Sequence, residues 1–305
     1  MTWDPARLPS QRGRVVVVTG ANAGIGFWTS YALADAGASV ILACRSPERA
    51  DAAMRAIRAR VPNADLSVLH LDTADLYSVR SAGEHLAGLE RLDALVNNAG
   101  IVHPPRRRIE TDDGLELIAA TNFFGAFALT AAAFPALERT ADSRVVSLGS
   151  IASFLVSLRL DDLQLSRRYS GWQAYAQSKI LLSSFGFELD RRLRARGSGT
   201  RSLVAHPGYS ISGRTPAVPD VNEPSRAKRF VDGLQAPFTQ GKDRGAASVL
   251  RAITDPDAVG GTFLGPRFRV KGVPVVTTPA PVTTDEGIAQ AIWAEAEVAT
   301  RAPFL

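Results

Sequence analysis

Residues 15–26 read Val15-Val16-Val17-Val18-Thr19-Gly20-Ala21-Asn22-Ala23-Gly24-Ile25-Gly26, and the fold is decided there. Four consecutive β-branched residues suit a strand buried on both faces, as in a parallel sheet. Glycines follow at once, and an apolar segment from Ile25 to Ala36 is long enough for a helix. Strand, glycine turn and helix make the first half of a βαβ unit, the place where such a unit binds a dinucleotide. Glycine lets the backbone approach a ligand closely, and a helix N-terminus presents unpaired N–H groups to a pyrophosphate. The spacing is G-x-x-x-G-x-G rather than G-x-G-x-x-G. With the Val run before it and the helix after it, we assign Gly20, Asn22, Gly24, Ile25 and Gly26 to a nucleotide loop rather than to a bare turn.

Outward from this unit the alternation repeats. Strands are expected at Ser39–Ala43, Leu66–Leu71, Leu92–Val96, Arg144–Leu148 and Arg201–Ala205. Helices are expected at Pro47–Arg60, Leu76–Leu89, Asp112–Leu137 and Trp172–Arg196. This is the pattern of an α/β, doubly wound parallel sheet with helices on both faces and right-handed crossovers. Beyond His206, Pro and Gly thicken into a long irregular stretch, then helices resume near Lys242–Ile253 and Asp285–Ala299, with a short strand at Thr262–Leu264. No repeat or linker separates a second domain. Residues 1–305 read as one domain, with residues 1–14 a polar N-terminal arm and residues 209–240 a lid over a substrate pocket.

The composition narrows the function classes. The chain has 305 residues, 46% hydrophobic and 21% charged, enough to bury a large core. Its formal net charge is +5, but the basic residues lie in short clusters: Arg106 to Arg108, Arg167-Arg168, Arg191-Arg192 and Arg226 to Arg229. Without interleaved aromatic platforms these read as solvated faces, so no nucleic-acid partner is expected. Cys44 is the only cysteine, which excludes an intramolecular disulfide and a cysteine zinc site and fits a reducing compartment. His70, His85 and His103 show no metal spacing, and no metal is expected. Met1 to Pro5 lacks the order of a signal peptide, and the longest apolar candidate, Phe27 to Cys44, is broken by Asp35 and Gly37. No membrane span and a cytoplasmic location are the expectations.

The second strand ends Leu42-Ala43-Cys44-Arg45-Ser46, where an acid for the ribose 2′-hydroxyl of NAD would normally stand. Arg45 can instead pair with a 2′-phosphate, so NADP(H) is the preferred cofactor and NAD(H) the alternative. Tyr175-Ala176-Gln177-Ser178-Lys179 places a phenol and an ammonium four residues apart, on one helix face. A phenol of pKa ~10 is a poor base at neutral pH, and a nearby cation lowers that value toward general acid/base use. Further motifs follow strand ends: Asn97-Asn98-Ala99-Gly100, Ser147-Leu148-Gly149-Ser150 and His206-Pro207-Gly208. Asn122 lies in the long fourth helix. Ligands of doubly wound sheets bind outside the carboxyl ends of strands, so the three strand-end motifs converge on one crevice.

With these motifs in hand, the sequence resembles the short-chain dehydrogenase/reductase family over nearly its whole length. Ile41 to Arg45, Asp162-Leu163-Gln164, Tyr169-Ser170, the wide gap from Ser150 to Tyr175, and Thr254-Asp255-Pro256 look like its retinol-dehydrogenase-like branch. The resemblance implies a catalytic tetrad of Asn122, Ser150, Tyr175 and Lys179. It implies cofactor contacts at Gly20, Gly24, Gly26, Asn98, Ala99, Gly100, Tyr175, Lys179, Pro207 and Gly208, and an adenine contact at Asp72. The implied reaction interconverts a ketone or aldehyde and an alcohol on a lipophilic small molecule. Lys179 would hold the nicotinamide ribose and bias Tyr175 toward phenolate, and Asn122 would position a water linking Lys179 to solvent. Homo-oligomers are common in the family, and the C-terminal tail could block or replace that contact.

Ser147 competes with Ser150 if strand alternation carries both to one face; the family pattern selects Ser150. His206 and Phe123, Phe124 and Phe127 are expected to be structural. Gly149 stands where the family often has Ser, and Tyr209-Ser210-Ile211-Ser212 replaces a segment that commonly carries a Thr, with Ser212 the candidate substitute. A dehydratase or epimerase on the same scaffold, and a nucleotide sensor without turnover, are the alternatives; the intact tetrad speaks against the sensor.

Overall fold

The computed structural model describes residues 3–305. Strand β1 (Val15–Thr19) leads through the glycine loop into α1 (Gly24–Asp35), and β2 (Ser39–Cys44) lies parallel to β1. Then come α2 (Pro47–Arg58), β3 (Leu66–His70), α3 (Leu76–Ala87) and β4 (Ala94–Asn97). Ser46 accepts from Arg49 N to cap α2, with Pro47 in its first turn, and Asp75 accepts from Tyr77 N and Ser78 N to cap α3. The second half holds α4 (Leu117–Ala119), α5 (Gly125–Arg139), β5 (Arg144–Leu148), α6 (Gly171–Ala195) and β6 (Arg201–Ala205). The chain closes with α7 (Arg226–Leu234), α8 (Lys242–Thr254), β7 (Phe263–Pro266), β8 (Pro274–Val276) and α9 (Glu286–Thr300).

Among the described residues the strands form one eight-stranded sheet, ordered β3-β2-β1-β4-β5-β6-β7-β8. All pairings are parallel except β7 with β8, a short antiparallel edge that the sequence reading did not anticipate. Strand alternation splits the core into two layers. Val17, Leu95 and Val145 pack toward α3, α5 and α6, while Val16, Val18, Val96 and Val146 pack toward α1, α2 and α8. The N-terminal arm, from Trp3 on, is tied down: Trp3 Nε1 donates to Thr254 Oγ1 (2.8 Å) and Gln11 N to Ala36 O (2.8 Å). Met1 and Thr2 lie outside the described residues.

The fourth helix departs most from expectation. It begins at Leu117 rather than Asp112, because the residues before it make a small hairpin in which Leu117 N donates to Ile109 O (2.9 Å). Asp113 is engaged elsewhere, accepting from Leu76 N (2.9 Å), and the Glu116 carboxylate caps the helix through Ile118 N and Ala119 N. A π-helical turn, Ala120–Phe124, then separates α4 from α5. The stretch Leu117–Arg139 is a longer apolar candidate than Phe27 to Cys44 and has the length and composition to cross a membrane. Here it is a core helix, 78% buried over its most apolar window.

Candidate active site

The carboxyl ends of β1 and β4 are joined by one hydroxyl. Thr19 Oγ1 donates to Val96 O (3.1 Å) and accepts from Asn98 N (3.0 Å) and Ala99 N (2.9 Å). Asn98 Nδ2 donates to Thr19 O (2.6 Å) and so holds the start of the glycine loop. A side chain on Gly26 would put its Cβ 2.5 Å from both Asn98 Nδ2 and Gly20 O, and Gly20 has φ +65° beside Ala99. Only glycine fits there. Ala23 precedes α1 and offers no side-chain acceptor, so the first-turn N–H groups of the helix are free to meet an anion. This cradle fits a dinucleotide pyrophosphate. Asn22 is half-buried in the same loop, and Ile25 packs toward Gly245 of α8.

At the end of β2, Arg45 is 72% exposed and its Nη1 lies 3.6 Å from Asp72 Oδ2. Asp72 also accepts from Ala74 N (2.9 Å), so it shapes the turn after β3; the cap of α3 is Asp75. Arg45 and Asp72 therefore stand together beyond the ends of β2 and β3. Cys44 lies behind the loop, where burial pushes its thiol up to about 11.

The catalytic candidates converge at the ends of β5 and α6. Tyr175 Oη donates to Ser150 Oγ at 3.4 Å, and Ser150 Oγ also accepts from Ala152 N (3.1 Å) as it caps the 3₁₀ turn Ile151–Phe154. Ser147 does not share this face. Residues an odd number apart in a strand face opposite ways, β5 ends at Leu148 before reaching Ser150, and Ser147 lies against Gly186 of α6. Lys179 is buried, its Nζ donating to Leu148 O (2.8 Å). Burial pulls its ammonium down to about 8. Burial pushes the Tyr175 phenol up from its ordinary value, opposed only by the Ser150 hydrogen bond. The expected lowering of Tyr175 by Lys179 is thus not present in this state, because the ammonium is directed at a carbonyl and is itself desolvated.

Asn122 sits in the π-helical turn and is fully buried. Its Oδ1 accepts from Ile101 N (2.7 Å), and its Nδ2 donates to Ile101 O (3.3 Å) and Ser178 Oγ (2.9 Å). It therefore ties the loop segment following Gly100 to the helix carrying Tyr175 and Lys179. Pro207 O accepts from Ser210 Oγ and Gln240 Nε2 (both 2.8 Å). Gly208 has φ +67°, and a Cβ there would meet Val270 O at 2.3 Å. Ser212 opens a 3₁₀ turn whose carbonyl accepts from Thr215 N (3.1 Å). His206 is buried, stacked on Phe263 with ring centroids 5.0 Å apart, and its Nδ1 accepts from Gly208 N (3.3 Å), a structural placement.

One residue at the crevice escaped the sequence reading. Lys242, the first residue of α8, packs against Gly24, its Nζ 3.8 Å from where a Cβ on that glycine would stand. Burial lowers its ammonium, nearby Lys228 adds to this, and Asp232 opposes it. No motif marks a lone Lys so far along the chain; only the packing of α8 on α1 brings it there.

Comparisons with known proteins agree with this geometry. A family model described as short chain dehydrogenase matches residues 14–215. Human retinol dehydrogenase 13 is 34% identical over 287 residues, covering 93% of this chain and 83% of the relative. Mouse polyprenol dehydrogenase is 36% identical, covering 95% and 85%. Among solved structures, an uncharacterized protein from Mycobacterium paratuberculosis is 37% identical with TM-score 0.81, and each chain is covered in full. A short chain dehydrogenase from Burkholderia cenocepacia in complex with NADP is 26% identical with TM-score 0.63, covering 86% of this chain and 98% of that one. The chain belongs to the short-chain dehydrogenase/reductase family, in its retinol-dehydrogenase-like branch, and is an oxidoreductase acting on CH–OH or C=O groups with a nicotinamide cofactor.

Proposed function

We propose that this oxidoreductase uses NADP(H) to interconvert a ketone or aldehyde and an alcohol on a lipophilic small molecule, with Tyr175 moving the proton. The observation that carries this reading is the Tyr175 phenol on the Ser150 hydroxyl at 3.4 Å, one helical turn from buried Lys179. With the cofactor's pyrophosphate held at the glycine loop, its nicotinamide would supply or take the hydride. Ser150 Oγ orients the substrate oxygen, and Tyr175 Oη donates a proton to that oxygen as the carbonyl carbon becomes tetrahedral. A phenol held up by burial keeps its proton until the oxyanion draws it, which suits the donor role. In the reverse direction the phenolate must form, and Lys179 would stabilise it while binding the ribose hydroxyls. Asn122, already bonded to Ser178, holds the helix register that sets the Tyr175 to Lys179 spacing.

Two observations favour NADP(H): exposed Arg45 replaces the usual acid at the end of β2, and similar structures were solved with NADP. Exposed Leu155 and Trp172 at the rim support a lipophilic substrate, and the relatives' names specify retinol and polyprenol. Residues 209–240 act as the lid. Their two ends are pinned together, Ser210 pairing with Gln240, which supports reading the intervening chain as one closed excursion of the lid type.

The test is a spectrophotometric screen of NADPH and NADH oxidation against varied ketones and aldehydes, with Tyr175→Phe as the control. We expect turnover to fall by about 10²-fold or more while nucleotide binding is retained. Unchanged turnover would remove Tyr175 from the chemistry.

A further inference from the structure

Helix α7 is built the wrong way round for a surface helix. A helix on a globular protein turns its apolar stripe inward. In α7 the acid is inside: Asp232 is 4% exposed and accepts from Gly213 N (2.8 Å), with Lys228 Nζ 3.0 Å away. Phe230 and Leu234 point to solvent, 70% and 69% exposed, with Val231 exposed beside them. The orientation is fixed, because Gly213 packs so closely on Asp232 that a Cβ would lie 2.5 Å from its Oδ2.

The apolar face continues past the helix. Phe238 follows α7, and the turn between β7 and β8 adds Phe268 and Val273, all exposed. Lys271 Nζ donates to Ala236 O (3.2 Å) and Gly272 N to Gln240 Oε1 (3.1 Å), so the two segments form one surface. Residues 226–238 and 267–273 carry Arg226, Lys228, Arg229, Arg267, Arg269 and Lys271, and Asp232 is their only acid. An apolar face ringed by cations is complementary to an anionic bilayer, whose headgroups attract the charges while the rings enter the acyl boundary.

We propose that α7 and the 267–273 turn form a docking surface for anionic lipid bilayers, set beside the mouth of the active site. The guanidinium of Arg269 lies 5.1 Å over the ring of Phe154, the last residue of the turn capped by Ser150. Leu155, 65% exposed, extends the apolar surface to that mouth. A docked molecule therefore presents its pocket to the bilayer, where a lipophilic carbonyl or alcohol partitions. This delivery step rests on the oxidoreductase reading above; the docking does not.

The experiment is co-sedimentation of the full chain with phosphatidylcholine vesicles, with and without phosphatidylserine, beside the double variant Phe268→Glu/Val273→Glu, both exposed on the 267–273 turn and outside residues 209–240. We expect binding to the mixed vesicles, about tenfold weaker on phosphatidylcholine alone and largely lost at about 0.5 M salt. The double variant should lose at least about tenfold in binding while keeping its circular dichroism and its turnover of a small water-soluble ketone. No binding by the wild type, or equal binding by the variant, overturns the proposal. So does salt-insensitive self-association that the variant abolishes, which would make the face a dimer contact. Loss of soluble-ketone turnover in the variant overturns it too, since the face would then close over the pocket. Sedimentation needs no turnover, so a wild type that binds vesicles but reduces no carbonyl would sink the enzymatic reading and leave docking standing.

Discussion

On the proposed reading, Arg45 and Lys242 would offer positive charge to two different parts of the nucleotide. The Arg45 to Asp72 contact at 3.6 Å is largely exposed, and such pairs are worth little, so turning the guanidinium toward a 2′-phosphate costs little. Lys242 is held over the glycine loop and partly desolvated, a state that an arriving pyrophosphate would relieve. Arg45→Asp should raise the Kd of NADPH by at least about tenfold and leave NADH nearly unchanged. Lys242→Met should weaken both nucleotides by a similar factor, because both carry the pyrophosphate. Fluorescence titration of each variant with each nucleotide checks both. A Lys242→Met effect confined to NADPH would move that residue to the 2′-phosphate, and an equal loss of both in Arg45→Asp would reject its assigned role.

Among the elements, α9 decides whether the layer of α5 and α6 is closed by this chain itself. Trp293 is buried between Phe127, Phe185 and Phe304, with the Arg192 guanidinium 4.1 Å from its ring. Its indole Nε1 has no hydrogen-bond partner among the described residues. Trp293→Ala should cost about 3–5 kcal/mol, whereas Trp293→Phe keeps an aromatic ring, removes the orphan donor and should cost far less. Urea unfolding of the pair measures the gap, and near-equal losses would mean that α9 is not integral to the core. Trp293 was not legible as a core anchor, yet its helix was, since Ile288, Ile292 and Ala296 share one face. The parallel strands were legible because each is a short apolar run ending in a motif. The π-helical turn at Asn122 was not, since it leaves no mark in the periodicity. Helix α7 was missed for an instructive reason: its period is regular but its polarity is inverted, so it reads as charged loop. Of the candidate site, Tyr175, Lys179 and Ser150 could be placed because their spacing is local or follows a strand end. Lys242 could not, because its proximity to Gly24 exists only after α8 packs on α1.

For the molecule as a whole, the clearest acid sensitivity comes from His206 at the carboxyl end of β6. Burial, with Arg269 adding to it, pulls its imidazole from 6.5 down to about 4. Above pH 6.5 the ring is neutral in both the folded and the unfolded chain. As the pH falls below 6.5, the unfolded chain takes up a proton that the folded one refuses, so stability is lost down to about pH 4 and not below it. A shift of this size is worth at most about 3 kcal/mol. Other groups titrate nearby: the Asp162 and Asp232 carboxylates are held below their usual range and lose stability at lower pH, whereas buried Glu116 is pushed up and opposes them. The contribution of His206 is therefore read as a difference in slope. His206→Asn keeps an acceptor for Gly208 N but cannot titrate. It should be less stable at neutral pH, having lost its stacking on Phe263, yet its unfolding midpoint in urea should fall less between pH 7 and pH 4.5 than that of the wild type. Parallel pH profiles for the two proteins would mean that the ring is already protonated in the folded state, and that the end of β6 is far wetter than its packing against Gly265 implies.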